Sequence, residues 1–228
     1  MMTEDAPPLH SMTEAEEKSP APAKDRRKQR GDASAQRIID ATIDLIAEDG
    51  ISSVTMQRIA AKVGSSNALV VFHFGSKDNL FAAVLRHLTD QYEALWDRTV
   101  RQPGLSAVDR LLAANACAQR FAHEYPSSTT AWIAFSNDRK AVHLDREISL
   151  PRELSFTAEA HDLIVEIAQS GGYPDVDTIA LVEGMNFLIQ GAWYWGNLNP
   201  ARNTSEVLNR TALILLHHAF PRHFQPVA

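Results

Sequence analysis

From Gly50 to Ser76 the chain is punctuated so closely that only short helices fit between the stops. Gly50 can end a first helix by taking the left-handed conformation that other residues avoid. Thr55 then offers a side-chain oxygen to the free N–H groups of a new helix, with Met56, Ile59, Ala60 and Val63 on its apolar face. Gly64 closes that helix, and Ser66 caps a third, very short one running to about His73. Gly75 breaks it, and Ser76 opens a long helix predicted from about Lys77 to Val100. Two short helices joined by a glycine turn and backed by longer ones match the layout of a helix-turn-helix. In such a motif the first helix crosses the DNA backbone and holds the second in the major groove.

The flanking sequence is also helical in pattern. Ahead of Gly50, a helix is predicted from Ala33, with Ile39, Ile43 and Ile46 on one face. Beyond Pro103-Gly104, helices are expected near 105–123, 128–139, 152–170, 175–196 and 204–219, separated by Pro126, Pro151, Gly171-Gly172 and Pro200. No period-two run suggests a strand, so the expected fold class is all-α. The expected organisation is an acidic, Pro/Ala-rich tail with a basic arm (1–31), a three-helix DNA-binding domain (32–78) and a helical ligand-binding and dimerisation domain (79–228). The tail lacks the basic start and apolar run of a signal peptide. The basic run Lys24 to Arg30 reads equally as an extension of the first helix or as an arm on DNA phosphates.

Charge agrees with that division. The net charge is -6, which argues against a general nucleic-acid coat, yet residues 24–78 carry nine Lys/Arg against seven acids. Any DNA contact is therefore expected in the first third of the chain. A single cysteine, Cys117, excludes an internal disulfide; it sits among Leu111, Leu112, Ala116 and Phe121 and reads as a buried small hydrophobe. A reducing cytoplasm is the expected location. No metal-ligand spacing, cofactor motif or catalytic set stands out, and no apolar run suggests a membrane span.

The residues from Gly50 through Ala60, then Val63-Gly64-Ser65-Ser66 and Phe72-His73-Phe74-Gly75-Ser76-Lys77, resemble the DNA-binding domain of the TetR family of regulators, over about Gln36 to Leu85. The resemblance implies an all-α homodimer that binds a palindromic operator on double-stranded DNA and is released by a small molecule. It places Ser66, Asn67, Ala68, Leu69, Val71 and Phe72 at or near the groove, and Thr55, Gln57, His73 and Lys77 facing phosphates. The family often has Gly at position 68 and Tyr at 71 or 73, so a phosphate-binding hydroxyl is missing here. That departure supports an alternative: a helical adaptor whose helix-turn-helix no longer reads DNA.

Further along, Ala131-Trp132-Ile133-Ala134-Phe135, the spacing to Gly191-Ala192-Trp193 and the Leu111–Phe121 helix resemble the choline-responsive BetI branch of that family. That branch controls glycine-betaine synthesis from choline. It tends to have a second Trp where Ser136 stands and an acid where Gln190 stands. Trp132, Phe135 and Trp193 are candidates for an aromatic cage around an organic cation such as choline, with Glu183 as counter-charge. The plainer reading of the same aromatics is core and dimer packing, and the two are not exclusive. The last two helices carry Ile179, Val182, Met185, Phe187 and Ile189, then Val207, Leu208, Leu213, Leu215 and Leu216. These faces serve either a dimer interface or a monomeric core.

Overall fold

A computed structural model describes residues 23–225, with side chains from Lys28 onward. The tail expected over residues 1–22 lies outside the described residues. Among the described residues the regular structure is helical: α1 (Ala23–Asp49), a single 3-10 turn (Ile51–Ser53), α2 (Met56–Lys62), α3 (Asn67–Phe74), α4 (Lys77–Thr99), α5 (Ala107–Glu124), α6 (Pro126–Asn137), α7 (Val142–Ile148), α8 (Leu150–Gly171), α9 (Thr178–Leu198) and α10 (Thr204–Ala219). The chain divides after Ser34, and the described residues from Ala35 onward form one compact unit. No single helix is long and apolar enough to cross a membrane.

Two expectations about the elements change. α1 begins at Ala23 rather than Ala33, so the basic run is helical. Lys, Arg and Gln are good helix formers, and they outnumber the weak positions Asp25, Gly31 and Asp32 before Ala33. α7 was not expected at all. Its seven residues make barely two turns, too few for an apolar period, and its entry is shaped by Asp138, whose carboxylate accepts from the Lys140 and Ala141 N–H groups at 2.8 and 3.0 Å.

Two buried clusters hold the unit together. The larger gathers Ile38, Ile43 and Ile46 of α1, Ile59 of α2, Val70 of α3, the inner face of α4, and Phe121, Trp132 and Phe135 of α5 and α6. The second joins α5, α8, α9 and α10 through Leu111, Ile164, Ile167, Val182, Met185, Leu216 and Phe220. α4 belongs wholly to the first cluster: Leu80, Val84, Leu85, Leu88 and Leu95 have no solvent exposure. It therefore carries Lys77 at one end and Tyr92 and Trp96 near the other. The fifteen positions from Lys77 to Tyr92 span about 22 Å at the α-helical rise.

Cys117 is fully buried, and desolvation pushes its thiol up to about 11, so it stays protonated.

Candidate functional site

The helix-turn-helix is built by local chemistry. Thr55, Ser66 and Ser76 each cap a helix, accepting from the N–H of Arg58 (3.2 Å), Leu69 (3.2 Å) and Asn79 (3.1 Å). Gly64 and Gly75 turn the chain with φ of +65° and +73°, a region that costs any L side chain strain. α2 is tied back to α1 by ion pairs, Arg58 to Asp49 and Lys62 to Glu48 (2.7 Å). These two cations thus already have partners on the protein. α3 meets α4 at 68° and is anchored by Val70, which is fully buried.

With Val70 inward, α3 turns Asn67, Ala68, Val71 and Phe72 outward. Residues 67 and 71, and 68 and 72, are each four apart, so they share one helix face. Phe72 is 80% exposed and Val71 42%, although both are apolar. Leu69 and His73 are half-buried at the flanks of this face, and Thr55 and Gln57 are exposed at the start of α2. Lys77 is half-buried: its Nζ lies 4.9 Å from the Phe81 ring centroid. Burial lowers the Lys77 pKa, and the charges of Asp138 and Asp78 oppose that shift.

The second site is a cavity of about 570 Å³ bounded by α4, α5, α6, α8 and α9, within the range typical of drug-sized ligands. Tyr92, Trp96, Trp132, Phe156 and Trp193 line its inner wall. Tyr92 stands at their centre, with ring centroids 6.2 Å from Trp96, 6.0 Å from Trp132, 5.2 Å from Phe156 and 6.3 Å from Trp193. Two of the indole N–H groups are held: Trp96 donates to Glu159 at 3.0 Å and Trp193 to the Ala118 carbonyl at 3.1 Å. The third, Trp132 Nε1, is buried without a hydrogen-bond partner within 3.5 Å.

Glu153, in the first turn of α8, also lines the cavity and joins no ion pair among the described residues. Its neighbour Arg152 is occupied with Asp90 (2.6 Å) and Glu93 (2.7 Å) on α4. Desolvation, reinforced by the charge of Asp145, pushes the Glu153 carboxyl up to about 7, while the nearby Trp132 indole pulls it the other way. An aromatic wall beside an unpaired carboxyl suits a cation: ring faces attract positive charge, and the carboxylate gains the counter-ion it lacks.

Of the four residues expected at a ligand site, three line the cavity: Trp132, Trp193 and Glu183, the last exposed. Phe135 does not. It is fully buried in the larger cluster and meets Phe81 of α4 edge-on at 5.2 Å. A second lining carboxyl, the half-buried Glu153, was not anticipated from the sequence, nor were Tyr92, Trp96 and Phe156. Tyr92 and Trp96 are four apart on one helix face, a spacing visible in the sequence but indistinguishable there from core.

The apolar positions of α9 and α10 split between two faces. Val182, Met185, Leu208 and Leu216 are buried within the chain. Ile179, Phe187, Tyr194 and Leu198 of α9 and Val207, Ile214 and Leu215 of α10 are exposed. On α9 the exposed set is spaced eight, seven and four residues apart, close to whole helical turns, and so forms one outward stripe.

Comparison with known proteins agrees with this picture. Residues 38–84 match the tetR family of bacterial regulatory proteins. The HTH-type transcriptional regulator BetI of Klebsiella pneumoniae is 31% identical over 166 residues, 69% of this chain and 79% of that protein. Among solved structures, a TetR-family transcriptional regulator from Rhodococcus sp. superposes with a TM-score of 0.70 at 21% identity, covering 82% of this chain and 99% of the other. A transcriptional regulator from Saccharomonospora viridis, solved in complex with choline, does so with a TM-score of 0.70 at 18% identity, covering 82% and 97%.

Proposed function

This chain belongs to the TetR family of bacterial regulatory proteins, and from that premise we propose that it is a ligand-controlled repressor that binds a palindromic operator as a homodimer. It is a DNA-binding regulator of transcription, not an enzyme. The observation that carries the reading is the outward face of α3: Asn67, Ala68, Val71 and Phe72 stand in solvent on a helix fixed by Ser66, Val70 and Gly75. Asn67 has the amide to bond a base edge, and Val71 and Phe72 suit thymine methyl groups. Thr55, Gln57, His73 and Lys77 flank that face as phosphate contacts. Lys77 opens α4, so its ammonium and the helix's free N–H groups could act on one phosphate together. Such a protein works where the chromosome is, in the cytoplasm.

The exposed stripe of α9 and α10 is the proposed dimer face. Two-fold symmetry would set the paired α3 helices about 34–36 Å apart, one turn of DNA. The cavity is the proposed effector site, and an organic cation such as choline is the first candidate because of its aromatic wall and unpaired acid. Release requires that the ligand favour a conformation with the wrong spacing between the two α3 helices. α4 is the natural lever, since Lys77 and Tyr92 share it.

The test is a gel shift with the DNA just upstream of the protein's own gene, repeated with choline. Specific, salt-sensitive binding that choline releases is expected. Absence of specific binding would favour the adaptor reading, and sedimentation as a monomer with and without DNA would remove the dimer.

A further inference from the structure

The cavity is not closed by its own chain. Among the side chains that line it, Glu183, Phe187, Gln190 and Tyr194 of α9 stand in solvent. They are four, three and four positions apart, so they share one face of the helix. Phe187, 73% exposed, and Tyr194, 54% exposed, are also members of the outward stripe of α9. One helix face therefore serves twice: it is part of the cavity's rim and part of the apolar surface carried on into α10. That surface has little charge to hold water, since Glu183 is the only charged side chain of α9. The exposed parts of Ile179, Phe187, Tyr194, Leu198, Val207, Ile214 and Leu215 come to roughly 800 Å², and each side of a stable interface buries about as much. A monomer rarely leaves so large an apolar patch bare. With no charge pattern to answer, the fitting cover is a surface of the same kind, and a two-fold axis supplies one by setting each patch against its own copy.

We propose that a second copy of this chain completes the effector site: the partner's α9 lies over Phe187 and Tyr194, and the ligand is enclosed by both subunits. This rests on the dimer and effector readings above and adds to them that the two faces are one. A ligand held by both copies acts on their relative setting where they meet, in addition to whatever α4 carries to α3. By linkage, a ligand that prefers the closed site must also tighten the dimer.

The first measurement needs no ligand. Cys117 is fully buried, so in Gln190→Cys the new thiol on the rim is the one open to a maleimide. Val207→Glu with Ile214→Glu puts charge into the dimer face on α10, outside the cavity lining. Both side chains already face solvent, so this variant should fold as a monomer; circular dichroism and sedimentation check it. If it unfolds, dilution of the wild-type dimer supplies the monomer instead. Maleimide should label Gln190→Cys at least about tenfold more slowly in the dimer than in the monomeric background. Choline, followed by tryptophan fluorescence, should bind the dimer at least about tenfold more tightly than the monomer. A dimer whose thiol reacts as fast as the monomer's leaves the mouth open; it overturns the shared site while the dimer reading stands. Choline bound equally by dimer and monomer overturns the shared site and keeps the cavity as the effector site. A wild-type chain that sediments as a monomer at micromolar concentration overturns the shared site and the dimer together. Choline bound by neither form overturns the cation reading, and the labelling rates still decide the shared site.

Discussion

The two sites break the ordinary rule of burial in opposite directions. α3 puts apolar side chains, Val71 and Phe72, into water. The cavity puts an unpaired carboxyl, Glu153, against an aromatic wall. Outside these sites and the exposed apolar stripe of α9 and α10, the rule is visible in the core and at the surface: Leu80, Leu88, Ile164 and Leu216 lie inside, and Arg58, Lys62, Arg101 and Arg152 are paired. Each exception is unfavourable in the free protein and is relieved by a partner of matching chemistry. On the proposed reading, a base-pair edge would cover Phe72 and a cation would neutralise Glu153. Departures from consistent packing therefore point to function more sharply than the packed core does.

The comparison breaks first if Phe72 is idle. Covering its ring on DNA would contribute about 1.5–3 kcal/mol, so Phe72→Ala should weaken operator binding by about ten- to a hundredfold. Folding should hardly change, because the ring already faces solvent. Unchanged affinity in a gel-shift titration would take Phe72 out of the interface.

Glu153 is the next test, and its sign is fixed by linkage. The folded carboxyl keeps its proton up to about 7, whereas the ordinary value is 4.5. Between those values the folded state binds more protons than the unfolded, so stability falls as pH rises through that window. Glu153→Gln stays neutral throughout. It should raise stability on the order of 2 kcal/mol at pH 8 and by little near pH 4.5. Thermal melts at both pH values check this, and an equal shift at both would mean that the carboxyl is not strained by burial.

The two sites also differed in how far the sequence revealed them. The reading helix was legible because its cues are local: Thr55, Ser66, Gly75 and Ser76 act on residues within a few positions. The cavity is assembled from five helices, and periodicity does not say which face meets which. Trp132 and Trp193 were found through resemblance, while Phe135 packs into the core beside Phe81 instead of lining the cavity. Glu153 looked like any acid in the first turn of a helix. Only the fold shows that its neighbour Arg152 is taken by Asp90 and Glu93 while Glu153 is left unpaired. The α9 and α10 faces were read as single stripes because intra-chain and outward positions alternate within one apolar pattern.

Lys77 sharpens the comparison from the side of charge. Like Glu153 it is partly desolvated, but it has Phe81 beside it and Asp78 and Asp138 as opposing charges. If it meets a phosphate, Lys77→Ala should weaken binding to all DNA sequences alike. The slope of log K against log salt should become shallower by about one unit. An unchanged slope would leave Lys77 a structural partner of Phe81.

The smallest expected effect separates local from assembled construction. α3 has eight residues, and its first turn depends on the Ser66 hydroxyl accepting from Leu69. Ser66→Ala should cost about 1 kcal/mol of stability. If that cost is confined to fraying of α3, operator affinity should fall about fivefold while choline binding in the cavity stays as it was. Ser66→Asp is the discriminating partner. Aspartate caps as well as serine, and its charge favours a helix N-terminus, so the melting temperature should return. A carboxylate facing the DNA backbone, however, should repel it, so operator binding should weaken further still. Recovery of both properties in Ser66→Asp would make Ser66 a cap and nothing more; recovery of stability alone would place it against a phosphate. A loss of choline binding in Ser66→Ala would instead mean that the two sites share a cooperative unit, and the contrast between them would end there.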